Sequence, residues 1–301
     1  MATEKITAED SRKIMNEFNF GGLYKYKKEG YYEFKKYQNG KVYAKLEMAD
    51  NISDPHNILA KKKDLDEKLE KNTEFRCGII SNGNHGLDLL EVYNENHKKD
   101  PIDYKEFDEK TRVMFVFDSP ANNLKDCFGY DKCENLNELF EKEPKYFLCK
   151  HLWRSKDLDI DNCKSEEQFT ESKSYGQMIV SYMNNCGIKN VYTTNLFRYE
   201  ITTVDKEEFV SLGSMKKGAW VNPIFEAVFL DEVKLFKPDI IVAVGKTVFN
   251  YLNSVNRKKK LKKLGAELTY VYHPKARVSD KTKENLRKER ERQIINVRNS
   301  K

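Results

Sequence analysis

The sequence lacks the features that define several protein classes. Its six cysteines are scattered without a CxxC pair, so we expect free thiols and no zinc ribbon. Proline is scarce, at 7 of 301 residues, which excludes a collagen-like polymer. No apolar run approaches the roughly 20 residues that span a bilayer, and no basic segment precedes an apolar one at the N-terminus. We therefore expect an intracellular protein without a membrane segment, located in the cytoplasm or, in a eukaryote, the nucleus.

Charge is abundant but nearly balanced. Lys and Arg number 54 against 48 Asp and Glu, which gives a net charge of +6 and a charged fraction of 34%. This excess favours a polyanionic partner only weakly, so the location of the basic clusters matters more than the total. Hydrophobic residues make up 39% of the chain, including 17 Tyr and 17 Phe, which excludes a disordered protein and predicts a globular one.

The periodicity of the chain changes near residue 110. Before that point, residues 23–48 alternate aromatic residues with lysine, and Asn39-Gly40 predicts the tight turn of an antiparallel hairpin. The charged stretch from Ala60 to Asn72 is typical of a solvated helix or linker, and a further strand is predicted from Phe75 to Ser81. We assign residues 1–110 to an N-terminal α+β extension that contains a hairpin and has no assigned role.

The remainder of the chain alternates buried-type strands with helices. Four apolar strands are predicted, at residues 113–117, 190–195, 239–245 and 268–273, with helices at 169–186, 227–236 and 247–255. Such alternation is typical of a parallel sheet covered by helices on both faces. We therefore predict a three-layer α/β/α domain over residues 111–280, with a central, mainly parallel four-stranded sheet. A charged C-terminal helix is predicted over residues 281–301.

Three of these strands end in side chains that can take part in chemistry. Asp118 follows the first strand, Asn195 ends the second, and His273 ends the fourth. Open α/β sheets bind ligands outside the carboxyl ends of their strands, so we expect an acid, an amide and an imidazole at one edge. Taken singly, each residue also fits a structural role, as a helix cap, a turn residue or a loop histidine.

Four segments between residues 111 and 277 carry a family resemblance. They are FDSPAN from Phe117, TTNLFRYE from Thr193, LDEVKLFKPDIIVAVGKTVFNYL from Leu230, and YHPKAR from Tyr272. In this order they resemble the uracil-DNA glycosylase superfamily. The resemblance implies a monofunctional DNA glycosylase that hydrolyses the N-glycosidic bond of uracil or another modified base flipped out of DNA and leaves an abasic site. It implies single- or double-stranded DNA as the partner and no cofactor or metal.

The chemistry of that reaction assigns roles to the strand-end residues. Breaking an N-glycosidic bond builds positive charge on the sugar and negative charge on the departing base. Asp118 matches the family's acidic position and is our candidate for the carboxylate that positions or activates water, with the Ser119 hydroxyl beside it. His273 is the candidate donor to the base oxygen.

The resemblance also indicates which residues would hold the base. The amide of Asn195 can pair with the edge of an extruded base, and Phe128 occupies the family's stacking position, although either residue also fits a structural role. Ala121 stands where other families have Gly or a blocking Tyr, so the pocket is predicted to tolerate a 5-substituent and the identity of the base stays open.

Two groups of basic residues are candidates for DNA contact. Lys275 and Arg277 lie in the loop that in this family wedges into the duplex. The second group is a basic run at residues 257–263, which would neutralise phosphates if it is more than a solvated loop. The candidates in that run are Arg257, Lys258, Lys259 and Lys260.

Other cofactor sites are excluded by spacing. Some members of the family that the sequence resembles bind an iron-sulfur cluster through four cysteines, including a pair ahead of the first motif. Only Cys77 precedes that motif here, so we expect no cluster. A phosphate-binding loop needs glycine where Ile240 stands, and the five histidines lack a metal-ligand spacing. Three functions stay open: a glycosylase for DNA repair or for defence against phage, a non-catalytic nucleic-acid-binding protein with the same fold, and a Rossmann-like enzyme acting on free nucleotides.

Overall fold

In the computed structural model, the described part of the chain contains two β-sheets. The structure describes residues 6–28, 33–38, 41–45, 75–80, 83–118, 144–145, 147–148, 175–196, 199–203, 221–274 and 276–301. One sheet has four strands and the other has five. Among the described helices, none combines the length and the apolar character needed to cross a bilayer.

The N-terminal segment forms a helix and a hairpin. Helix α1 spans Ala8–Lys28, and strands β1 (Glu33–Gln38) and β2 (Lys41–Lys45) pair antiparallel. Gln38 lies opposite Lys41, the register that a two-residue turn requires, so the predicted hairpin is confirmed. Its predicted start was wrong, because residues 23–28 continue α1. Leucine and lysine are good helix formers, and six alternating residues do not outweigh an existing helix.

The predicted strand from Phe75 is confirmed as β3 (Phe75–Ile80), while the charged stretch at residues 60–72 lies outside the described residues. Strand β3 pairs with β2 on one side. On its other side it pairs antiparallel with β7 (Tyr199–Thr203), a strand from the second half of the chain. The first sheet therefore has the order β1-β2-β3-β7.

The second sheet contains the four predicted parallel strands. They are β5 (Val113–Phe117), β6 (Val191–Asn195), β8 (Ile240–Val244) and β9 (Glu267–Val271). A fifth strand, β4 (Asn84–His85), pairs antiparallel with β6 and gives the order β4-β6-β5-β8-β9. The prediction of four strands was therefore wrong by one, because a two-residue strand carries no periodicity that a sequence could show. Strand β4 lies before residue 110 and pairs with β6, which lies after it. Strand β7 lies after residue 110 and pairs with β3, which lies before it.

Helices cover both faces of this sheet. They are α2 (Gly86–Asn96), α3 (Tyr175–Cys186), α4 (Val221–Phe236), α5 (Lys246–Leu252), α6 (Val255–Lys263) and α7 (Asp280–Asn299). The ring of Phe115 packs on Tyr182 of α3, at 5.2 Å between centroids. Tyr192, on the opposite face, packs on Phe236 of α4 at 5.5 Å. Because successive side chains of a strand point to opposite faces, α3 and α4 lie on opposite sides of the sheet.

One predicted helix end is confirmed and one predicted helix is corrected. Helix α3 ends before Gly187, whose φ of +59° favours glycine, as the sequence predicts. The single helix predicted at residues 247–255 is instead two helices, α5 and α6. The basic run therefore lies on a helix. It does so because Leu261 is buried against the domain and anchors one face of α6.

One acidic side chain is built into the core under the sheet. Glu232 of α4 is fully buried and accepts a hydrogen bond from the Tyr192 hydroxyl at 2.8 Å. It also accepts hydrogen bonds from the Thr194 hydroxyl at 2.9 and 3.1 Å. A buried carboxylate is tolerated when such donors replace its water, so this group fixes α4 on β6.

Candidate active site

The candidate site lies at the point where the strand order of the second sheet reverses. Strand β6 follows β5 in the chain and lies on one side of it, whereas β8 lies on the other side. At such a point the two connections leave the sheet in opposite directions and open a crevice at the carboxyl ends. Asp118 directly follows β5 at this crevice.

The end of strand β8 leaves space in this crevice. Gly245, which follows β8, has a φ of +104°, a conformation that side-chain-bearing residues rarely adopt. A Cβ placed on Gly245 would lie 3.6 Å from the Cβ of His273, so His273 stands next to the bare backbone of this residue. Because neighbouring strands are about 4.8 Å apart, the ends of β5 and β9 are separated by only about 10 Å.

Asp118 carries a largely buried carboxyl group. Its Oδ1 atom is buried and has no hydrogen-bond partner among the residues that the structure describes. Burial raises the pKa of Asp118 to about 6, because a desolvated carboxylate is harder to ionise. A carboxyl group in this state exchanges its proton close to physiological pH, which is typical of residues that take part in chemistry.

His273 is engaged by a tyrosine that the sequence analysis did not select. The hydroxyl of Tyr175, the first residue of α3, forms a hydrogen bond with Nε2 of His273. The two rings meet edge to face, with centroids 5.1 Å apart and an interplanar angle of 70°. Tyr175 therefore connects α3 with the end of β9 across the crevice.

Aromatic neighbours fix the ring of Tyr175. Phe117, the last residue of β5, meets it edge to face at 5.1 Å, and Phe147 stacks on it at 6.4 Å. Burial raises the pKa of the Tyr175 hydroxyl far above its usual value, and the nearby charge of Asp118 raises it further. Tyr175 is therefore a neutral hydroxyl that lies within electrostatic range of Asp118 and in contact with His273.

Asn195 lies on the other side of Asp118. It ends β6 in register with Phe117, and the next residue, Leu196, donates its backbone N–H to the Phe117 carbonyl at 2.8 Å. The structure thus places Asp118, Asn195 and His273 at the carboxyl edge of one sheet, as the sequence predicts. Their chemical roles stay predictions.

The other predicted residues near the site are described only in part. Phe128, Ser119, Ala121 and Lys275 lie outside the described residues. Arg277 is exposed, four positions after His273, in the segment that joins β9 to α7. No group of three or more potential metal-binding side chains occurs within the described ranges.

The predicted basic run divides into two sets of side chains on α6. Arg257 and Lys260 both form ion pairs with Glu226 of α4, each at 2.8 Å, and Arg257 also stacks on Tyr251 at 3.8 Å. Lys258 and Lys259 are exposed. Two of the four predicted DNA contacts in this run therefore bind a neighbouring helix, and two face solvent.

Helix α6 approaches the sheet from the end opposite the candidate site. It leads directly into the first residue of β9, Glu267, which pairs in register with the first residue of β8. Asp118 and His273 instead follow the last residues of β5 and β9. A nucleic acid that contacts both α6 and the crevice would have to extend along the side of the domain.

Lys283 is a second residue that sequence reasoning missed. Its ammonium group donates to the backbone carbonyl of Pro274 at 3.0 Å and contacts the carboxylate of Asp280 at 3.4 Å. Helix α7 therefore holds the backbone of the loop that carries His273. Nothing local in the sequence marks Lys283, because it is one of many charged residues in a helical run.

No family model matches the chain, and no curated protein matches it. Among solved structures, the crystal structure of wild-type Pedobacter heparinus SMUG2 matches it with a TM-score of 0.37 and 13% sequence identity. The match covers 80% of this chain and 98% of that chain.

A TM-score of 0.37 describes a loose superposition. The fold itself is α/β, with a mixed, mainly parallel sheet of five strands.

Proposed function

We propose that this protein is a DNA glycosylase that hydrolyses the N-glycosidic bond of uracil or another modified base flipped out of DNA. The observation that carries the proposal is the buried carboxyl oxygen of Asp118, which has no hydrogen-bond partner among the described residues and lies at the crevice that also holds His273. An extruded nucleotide entering this crevice would bring its sugar and its base between an acid and an imidazole.

The reaction divides between the two ends of the scissile bond. As the bond from C1′ to the base nitrogen breaks, its electron pair leaves with the base and positive charge develops on the sugar. The ionised Asp118 stabilises that charge and orients a water, whose oxygen forms the new bond to C1′ and whose proton is released. His273 stabilises the negative charge on the departing base by donating a hydrogen bond to its oxygen.

The role of Asp118 predicts that the rate of base excision depends on pH. Only the ionised form of Asp118 stabilises positive charge, and its pKa is about 6. The single-turnover rate should therefore rise as the pH increases through about 6 and level off above it. A rate that stays constant between pH 5 and pH 8, with DNA in excess of its dissociation constant, would contradict this role.

We also propose which kind of base is excised and in which biological setting. Asn195 supplies an amide for the edge of the base, Phe128 a stacking ring, and the small side chain of Ala121 room for a substituent, with Ser119 beside the acid. A tolerant pocket suits excision of a modified base, either in repair of the cell's own DNA or in defence against the modified DNA of a phage.

DNA affinity is proposed to come from two surfaces. Arg277 and Lys275 would contact DNA next to the site, and the exposed Lys258 and Lys259 would contact phosphates further along the domain. The logarithm of the DNA-binding constant falls linearly with the logarithm of the salt concentration. Replacing both exposed lysines of α6 by glutamine should make this slope less steep by about 2. Lys98→Gln, an exposed lysine after α2, is the matched control and should leave the slope unchanged.

The test is a base-excision assay. The purified protein and its Asp118→Asn variant are incubated with labelled single- and double-stranded DNA that carries uracil, hypoxanthine or 5-hydroxymethylcytosine, and abasic sites are scored by alkaline cleavage. We expect abasic sites with the wild-type protein, none with Asp118→Asn, and full activity with Asp100→Asn, in which an exposed aspartate is changed. Intact DNA binding with no abasic sites on any substrate would favour a non-catalytic nucleic-acid-binding protein.

A further inference from the structure

The hydrogen bond between Tyr175 and His273 determines which ring nitrogen of the imidazole carries a proton. A neutral imidazole has one N–H donor and one acceptor nitrogen, and the partner of one nitrogen fixes the state of the other. Nε2 of His273 faces the hydroxyl of Tyr175. The direction of this one hydrogen bond therefore decides whether Nε2 or Nδ1 is the donor.

The chemistry of the two groups favours donation by the tyrosine. A phenol has an ordinary pKa of about 10 and is a good donor, whereas an unprotonated imidazole nitrogen is a strong neutral acceptor. The phenol stays neutral here because burial and the charge of Asp118 both oppose its ionisation. We propose that Tyr175 is a positioning residue that donates its hydroxyl proton to Nε2 of His273 and so keeps the imidazole neutral, with its proton on Nδ1.

The packing around Tyr175 fits a positioning role. Its ring is held between Phe117 and Phe147, at 5.1 and 6.4 Å. The backbone of His273 is fixed separately, because its carbonyl accepts a hydrogen bond from the Ala276 N–H at 2.8 Å. The backbone contacts place the residue, and Tyr175 sets the orientation of its ring.

A consequence follows for the proposed reaction, and this part rests on the proposed function. If Nε2 accepts from Tyr175, then Nδ1–H is the single donor that the neutral ring can offer to a departing base. A fixed neutral donor stabilises developing negative charge without transferring its proton, so the ring needs no reprotonation between turnovers.

The tautomer can be measured without any substrate. Long-range ¹H–¹⁵N correlation spectra of the full-length protein at pH 8 distinguish protonated from unprotonated ring nitrogens, and His273→Gln identifies the signals of this residue. We expect Nδ1 protonated and Nε2 unprotonated in the wild type, and a shift toward protonated Nε2 in Tyr175→Phe. A protonated Nε2 in the wild type would overturn the proposal, whatever the activity of the protein.

The chain offers a matched control on the same helix. Tyr182 of α3 is also buried, but its hydroxyl has no hydrogen-bond partner among the described residues and it does not stack on a histidine. Tyr182→Phe should therefore leave the His273 spectrum unchanged. An identical change of the spectrum in both variants would show that Tyr175→Phe acts through general loosening of α3, and would overturn the specific role.

A second readout separates positioning from binding. On a DNA substrate that the protein cleaves, Tyr175→Phe should lower the single-turnover rate at least about tenfold and leave the DNA dissociation constant within about twofold, as expected for an interaction made in the transition state. An unchanged rate would overturn the positioning role even if the tautomer changes. Absence of activity in the wild type would contradict the proposed function and leave the spectroscopic test to decide this inference.

Discussion

Replacing Asp118 by asparagine should make the protein more stable at neutral pH while it removes the proposed activity. In the folded protein the pKa of Asp118 is raised from 3.8 to about 6 by burial, and Oδ1 has no partner among the described residues to offset that cost. Asparagine has nearly the same shape and carries no charge. The substitution therefore removes an unfavourable charge with little change in packing.

The magnitude follows from the two pKa values. One pKa unit corresponds to about 1.4 kcal/mol, so a rise from 3.8 to about 6 corresponds to roughly 3 kcal/mol of free energy of unfolding lost when Asp118 is ionised. The amide of asparagine also has to be desolvated, which offsets part of the gain. We expect Asp118→Asn to increase the free energy of unfolding by about 1 to 3 kcal/mol at pH 8.

The gain in stability of Asp118→Asn over the wild type should increase with pH. Below pH 3.8 the carboxyl of Asp118 is protonated in the folded and the unfolded state, so the substitution changes little. Between about pH 4 and pH 6 the unfolded chain releases this proton first, so the wild type loses stability relative to Asp118→Asn as the pH rises. Above about pH 6 the loss is complete and the difference is constant.

Urea unfolding followed by circular dichroism at pH 4 and pH 8 measures this difference. The exposed Asp100→Asn variant is the control for a general effect of removing an acid, and its stability difference should be small at both pH values. The reasoning would be refuted if Asp118→Asn were less stable than the wild type at pH 8, or equally stabilised at pH 4 and pH 8. The first outcome would mean that the ionised carboxylate has a stabilising partner, and the second that the gain in stability does not come from removing its charge.

Two further predictions concern residues that the sequence did not mark. Lys283→Met removes the donor to the Pro274 carbonyl, so it should lower the single-turnover rate several-fold and the free energy of unfolding by about 1 kcal/mol. Lys283→Arg keeps a donor and should retain most of the rate. Tyr192→Phe removes a hydroxyl that donates to the buried Glu232 and should lower the free energy of unfolding, measured in urea, by about 1 to 3 kcal/mol. Tyr182→Phe is the control, because the hydroxyl that it removes has no partner among the described residues, and it should be neutral or slightly stabilising.

The sequence predicted the second sheet well because its strands are buried on both faces. Continuous apolar runs such as Val113–Phe117 are visible in a single sequence, and the strand ends then place Asp118, Asn195 and His273 without knowledge of the packing. The same reasoning could not detect β4, because two residues show no period. It also could not place the end of α1, where helix propensity and strand alternation conflict.

The partners of the site residues were beyond reach of sequence reasoning. Tyr175 is one of 17 tyrosines and is separated from His273 by 98 positions, so only the tertiary structure brings the start of α3 to the residue that follows β9. Likewise, the pairing of Arg257 with Glu226 depends on how α6 packs against α4. Residue type and local spacing identify groups at strand ends, but they carry no information on contacts between distant helices.

The exchange of strands between the two sheets restricts how the chain can be divided. Strand β4 belongs by position to the N-terminal segment and completes the edge of the second sheet at β6, while β7 returns from the second half to the first sheet. A fragment that starts near residue 111 would leave the outer side of β6 as an open strand edge and would leave β7 without its neighbour β3. Open edges of this kind recruit strands from other molecules. An isolated C-terminal fragment should therefore aggregate, and the two segments should be produced together or as co-expressed halves.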